Sequence, residues 1–146
     1  MFVVDASVHV NALNPSEAGH RASRDFLARV RSEHIVLAGP EILIAEVAAA
    51  VARALDDAAA ALRLALALRG VPDFRFFPVD ASLADAAAEM SARYRLRGCD
   101  AIYVALADRL SVPLVTLDRQ QRERGAKAVR TLRPDEALAY LPPRKR

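Results

Sequence analysis

The sequence predicts an α/β fold: a parallel sheet of four to five strands with helices on both faces, a three-layer α/β/α arrangement. Three observations predict it. Short β-rich runs alternate with longer helical ones along the whole chain, and strands separated by helices are joined by right-handed crossovers. Two of the apolar runs, FVVDA and PLVTLD, end on an aspartate, as strands do when they deliver side chains to one rim of a sheet. No linker, internal repeat or low-complexity segment beyond alanine enrichment divides the 146 residues, so one domain over 1–146 is expected.

The elements follow in order. FVVDA reads as the first strand. Asn14, Pro15 and Glu17 supply a cap, a proline suited to the first helical position and a carboxylate placed to reach back, and Phe26, Leu27 and Val30 follow at helical spacing, which predicts a helix over 15–32. HIVLA is the next strand, broken by Gly39-Pro40. PEILIAEVAAAVARAL and DAAAALRLALALRG read as two helices hinged at Asp56-Asp57; being apolar nearly all round, they are buried or serve as interfaces. FRFFPV is a strand, SLADAAAEMSARYRL and CDAIYVALADRLS are helices, PLVTLD is a strand, RQQRER a short helix and AVRTL the last strand. Pro134, Asp135 and Glu136 open a brief terminal helix.

Composition narrows the function classes. The hydrophobic fraction of 53% exceeds the usual value of about 45–50%, which argues against disorder and leaves apolar surface for a partner. A single cysteine, Cys99, cannot form an internal disulfide, and with only three histidines there is no zinc spacing, so the chain reads as cytoplasmic. The start lacks signal-peptide features and the apolar stretches are too short to span a bilayer, so membrane roles are dropped. The net charge of +3 is accounted for by Arg144, Lys145 and Arg146, a basic tail.

The chemistry is carried by acids. Asp5 and Asp118 fall at strand ends on one rim; each alone reads first as a helix cap or turn residue, and it is the pair on one rim that points to a site. Asp100 begins the helix DAIYVALA, which leads straight into the strand carrying Asp118; alone it too reads as a cap. Glu46 is the only charged residue between Ile42 and Ala52, and a lone carboxylate on so apolar a helix needs a cation or a wet cleft; Arg53 lies two turns away. Four converging carboxylates require cations or raised pKa values; where cations answer the need, oxygen donors without His or Cys select Mg²⁺ or Mn²⁺, the ions of metal-assisted phosphodiester hydrolysis. Ser7 and Thr116, each two residues from an acid, are supporting hydroxyls if they do not simply bond the local backbone.

At these residues the chain resembles the PIN-domain ribonucleases, most closely the VapC-type toxins of bacterial toxin-antitoxin modules. VVDASV, PEILIAEV, GCDAIYVALA and LVTLD match the family's motifs in order and spacing, over nearly the whole length. The resemblance implies a PIN-like fold and a metal-dependent endoribonuclease. It further implies that Asp5, Glu46, Asp100 and Asp118 bind Mg²⁺ or Mn²⁺ and cleave single-stranded or looped RNA, with Thr116 in support. It also implies a homodimer and a groove for an antitoxin on the helices of 41–69, the antitoxin inserting a basic side chain among the acids. Cys99 stands where a tyrosine is frequent, and Gln120 and Gln121 follow Asp118 where some relatives carry another acid, which leaves the number of ions open.

Arg93, Arg95 and Arg97 precede Asp100, and Arg119, Arg122 and Arg124 follow Asp118, so both groups border the acids and offer phosphate contacts; each is equally an ordinary solvated helix end. With no Trp and few other aromatics, recognition through backbone and RNA shape is favoured over base stacking. His9, His20 and His34 have no ligand spacing and read as surface or satisfied residues, and Asp108 as solvent-facing. A haloacid-dehalogenase-type phosphatase needs a second Asp where Ser7 stands, and an adhesion motif D-x-S-x-S fails at His9. The remaining rivals are an inactive PIN-like scaffold and a housekeeping PIN nuclease without an antitoxin.

Overall fold

A computed structural model describes residues 1–142; the basic tail at 144–146 lies outside them. The chain runs β1 (Phe2–Val4), α1 (Ala6–Leu13), α2 (His20–Ser32), β2 (Leu37–Pro40), α3 (Ile42–Leu55), α4 (Ala58–Ala67), β3 (Phe74–Phe77), α5 (Ala81–Tyr94), α6 (Gly98–Leu110), β4 (Leu114–Val115), α7 (Arg119–Gly125), β5 (Thr131–Leu132) and α8 (Pro134–Tyr140). The five strands lie in the order β3-β2-β1-β4-β5, and every pairing is parallel. The fold is thus the PIN-like α/β architecture that the sequence predicts.

Alternation along β1 creates two cores. Val3 faces a cluster built from α3, α4, α5 and α6, including Leu43, Val47, Leu83 and Leu106. Phe2 and Val4 face the opposite cluster, in which Val8, Phe26, Val30 and Ala137 come from α1, α2 and α8. Because β1, β2 and β4 are buried on both faces, their side chains need no polar alternation. β1 is the centre of the sheet, with β2 on one side and β4 on the other. Chain direction therefore splits there, and a crevice opens at the carboxyl ends of β1 and β4.

Three details differ from the sequence reading. Residues 6–13 form a helix of their own, and the next helix begins at His20 rather than Pro15. Asp5 caps α1 by accepting from the Ser7 N–H at 3.0 Å. The Asn14–Glu17 pair expected to cap a helix instead closes a turn, with Asn14 Oδ1 accepting from Ser16 N at 3.1 Å and Asn14 Nδ2 donating to Glu17 at 3.2 Å. Gly19, at φ +82°, then makes the left-handed step into α2. The second strand also includes Gly39 and Pro40 rather than stopping before them. It outruns β1, which pairs only with Leu37 and Ala38, so the missing N–H of Pro40 costs no bond to that neighbour.

The hinge at Asp56-Asp57 stands as expected: Asp56 is left-handed at φ 52° and Asp57 caps α4 through Ala60 N at 2.9 Å. α3 and α4 bury Leu43, Val47, Val51, Ala61 and Ala65 but leave Leu55, Leu62, Leu64 and Leu66 exposed. Among the described residues, no helix is long and apolar enough to cross a membrane.

Candidate functional site

The crevice between β1 and β4 collects carboxylates from four elements. Asp5 follows β1 directly, and Asp118, three residues beyond β4, caps α7 by accepting from Gln121 N at 2.8 Å. Asp100 sits inside the first turn of α6, which begins at Gly98 with Arg97 as its cap residue, so Asp100 is not a cap. A carboxylate there is stabilised by the unpaired N–H groups of the helix start. Glu46 projects from α3 toward α6.

These acids feel one another. Burial raises the carboxyl pKa of Asp5, and the charges of Asp100 and Asp118 add to that, opposed by its bonds to Ser7. Glu46 is raised by desolvation and by Asp5 and Asp100, with Tyr103 and Arg97 pulling the other way. Asp100 is raised by desolvation even though Arg97 is bonded to it, and Asp118 adds to the rise. Mutual repulsion among carboxylates held in one place is the condition that favours a cation.

The supporting groups are hydroxyls and one phenol. Thr116, with no exposed surface, donates to Asp5 Oδ2 at 3.4 Å and accepts from Asp118 N at 3.0 Å, joining two of the acids through one oxygen. Ser7 accepts from Leu117 N at 3.1 Å, so its hydroxyl ties α1 to the loop after β4 rather than bonding its own backbone. Tyr103, buried in α6, donates to Glu46 Oε2. Gln121, also fully buried, donates through Nε2 to the Asp100 carbonyl at 3.3 Å, linking α7 to α6. Tyr103 carries no motif of its own; its position one helical turn after Asp100 is the only sign of it in the sequence.

The arginines divide. Arg97 Nε donates to Asp100 Oδ2 at 2.6 Å and its Nη2 to Asp118 Oδ2 at 2.7 Å, one guanidinium spanning two acids. Arg119 pairs with Glu123 at 2.8 Å, Arg124 bonds the Arg95 carbonyl, and Arg93 lies 5.7 Å over the Tyr94 ring. Arg95 occupies the left-handed turn after α5, and Arg122 is half-buried on α7.

Hard oxygen donors fit Mg²⁺ or Mn²⁺ in kind. Among the described residues, however, no three His, Cys, Asp or Glu side chains are gathered tightly enough to ligate one ion. The cause is visible in the bonding: the Arg97 guanidinium stands between Asp100 and Asp118, and Tyr103 holds Glu46. A cleft of about 490 Å³ adjoins the acids, lined by Ser7, Asn11, Glu17, Leu117 and Asp118.

A second cavity, of about 310 Å³, lies near the first residues of β2 and β3 and away from the acids, lined by His9, Leu27, Arg31, Leu68 and Phe74. His9 departs from the sequence reading: it is buried, its Nε2 has no partner, and burial pushes its pKa down to about 4. His20 and His34 are satisfied by the Asn11 carbonyl and by Asp73. Asp108 is exposed, as expected.

No curated protein matches the sequence at a significant level. Solved structures do match the fold. Mycobacterium tuberculosis VapC20, a Sarcin-Ricin loop cleaving toxin, aligns over 88% of this chain and 96% of its own at 20% identity and a TM-score of 0.73. FitAB bound to a DNA fragment aligns over 92% and 95% at 18% identity and 0.71. VapBC2 from Rickettsia felis, bound to a DNA fragment from its promoter, aligns over 90% and 97% at 12% identity and 0.69. The PIN domain family model matches residues 2–127, and the chain, whose acids line the crevice between its two central strands, belongs to the PIN-domain family.

Proposed function

We propose that this protein is a Mg²⁺- or Mn²⁺-dependent endoribonuclease that hydrolyses RNA phosphodiester bonds at Asp5, Glu46, Asp100 and Asp118. The observation that carries the reading is the meeting of Asp5, Glu46 and Asp100 beside the carboxyl ends of β1 and β4, where burial first and neighbouring acids second raise their carboxyl pKa values. A bound divalent ion would supply an activated water and a counter-charge for the leaving oxygen. The chain's own residues do the rest. Asp5, Glu46, Asp100 and Asp118 would hold the ion, Thr116 fixes Asp5 relative to Asp118, and Ser7 anchors the loop that carries Asp118. Arg93, Arg95, Arg97, Arg119 and Arg122 flank the acids in sequence, Arg97 touching two of them, and would offset their repulsion of RNA phosphates.

The toxin role in a VapBC-type pair extends this reading. Its support is the likeness to solved toxin-antitoxin complexes together with Leu55, Leu62, Leu64 and Leu66 exposed on α3 and α4, a surface suited to a second copy or an antitoxin.

The test is Mn²⁺-dependent cleavage of structured RNA by purified protein, with Asp5→Asn alongside. Cleavage that needs the metal and is lost in the variant supports the site. Equal cleavage by both, or none with either metal, overturns it in favour of a contaminant or an inactive scaffold.

A further inference from the structure

We propose that Arg97 is an exchangeable counter-ion built into the site: it ties Asp100 to Asp118 while no divalent cation is bound and releases both carboxylates when one binds. The inference rests on the metal-site reading above and adds to it a competition within the chain itself.

The geometry puts the two states in competition. Arg97 contacts Oδ2 of Asp100 at 2.6 Å and Oδ2 of Asp118 at 2.7 Å through two nitrogens of one planar fork. Asp100 and Asp118 would hold a divalent ion through carboxylate oxygens that the guanidinium now uses, so ion and guanidinium would compete for them. Among the described residues, Arg97 is the only cation hydrogen-bonded to any of the four acids; Asp5 is held by Ser7 and Thr116, and Glu46 by Tyr103.

The tie is also easy to break. The Arg97 side chain is 62% exposed, against 12% for Asp100 and 30% for Asp118, so water reaches the guanidinium side of the tie and can replace its bonds as it leaves. Arg97 caps α6 from outside the helix, so rotation about its own side-chain bonds frees the guanidinium without disturbing Asp100. Once released, it remains at the rim beside the acids, where an RNA phosphate would arrive. One guanidinium then serves the acids before loading and the substrate afterwards.

The experiment is a calorimetric Mn²⁺ titration of the full chain, wild type against Arg97→Ala and Arg97→Gln, with circular dichroism in chelator as the folding check. Both variants are expected to bind Mn²⁺ about fivefold tighter, since the competing cation is gone. Arg97→Lys, which keeps the charge without the fork, is expected to gain less. Nitrogen-labelled protein should show an Arg97 Nε–H resonance, identified by its absence in Arg97→Gln, that moves when Mg²⁺ is added. Variants that bind Mn²⁺ as wild type does, or more weakly, overturn the exchange while leaving the metal site standing. Absence of binding in wild type and variants alike overturns the metal reading, and the exchange with it.

Discussion

Tyr103 of α6 donates its hydroxyl to Glu46 of α3, bringing together two residues 57 positions apart. Burial, followed by the charges of Asp5 and Glu46, pushes the phenol pKa up, so it stays protonated and acts as a donor at every working pH. Tyr103→Phe removes that donor and frees Glu46 to turn. Supporting bonds of this kind are typically worth about 10–100-fold in affinity or activity, so cleavage should fall at least about tenfold. The loss of stability should stay near 1 kcal/mol, because Glu46 can recruit water. RNA cleavage rates and thermal midpoints check both; an unchanged rate would count against a positioning role.

Asp5→Asn should stabilise the metal-free protein. Asn keeps the acceptor that caps α1 and removes the buried charge. Because the folded pKa of Asp5 lies above its ordinary value of 3.8, its contribution to stability is fully present below that value and is lost as pH rises through the raised one. The variant's advantage should therefore grow toward neutral pH, reaching about 1 kcal/mol, or a few degrees in thermal midpoint. Melts in chelator across pH test this, and an advantage that shrinks as pH rises would contradict the sign.

His9 titrates in the opposite sense. Its folded pKa is lowered to about 4 from 6.5, so the stability it contributes is present above 6.5 and disappears as pH falls toward 4. That window corresponds to at most about 3 kcal/mol. Glu123 and Asp135, held low by Arg119 and Arg133, act only at still lower pH. His9→Leu should flatten the stability profile between those limits, as denaturant titrations at several pH values would show.

Thr116→Val keeps the shape of a fully buried side chain and deletes its hydroxyl. The Asp118 N–H loses its acceptor and Asp5 its link to the neighbouring strand, at a cost of about 1–3 kcal/mol. Cleavage should fall further than stability alone predicts, because both acids are freed. A variant as active as wild type would remove Thr116 from the site.

The acids were legible because each is an exception to its surroundings. Glu46 is alone on an apolar helix, and Asp5 and Asp118 end apolar runs. The helices were legible from spacing, except where a local signal was ambiguous: Asn14-Pro15-Ser16-Glu17 has the chemistry of a cap and of a closed turn alike, and only the contacts of Asn11 and the step at Gly19 decide between them. The helix ASVHVNAL was hidden because eight residues directly after a strand leave too little periodicity to measure. The Arg97 fork was out of reach for a different reason. Six arginines flank the acids, and which one turns inward depends on a turn geometry that composition does not encode.

The placement of β1 has a consequence for the newborn chain. Val3 pairs with Leu114, so β1, once made, waits for a strand far along the chain before its second neighbour arrives. Asp118 comes later still, and β5 closes the edge after it. A chain made only as far as α6 therefore holds only fragments of the acidic crevice, and any chemistry lodged there waits for Asp118 to be added.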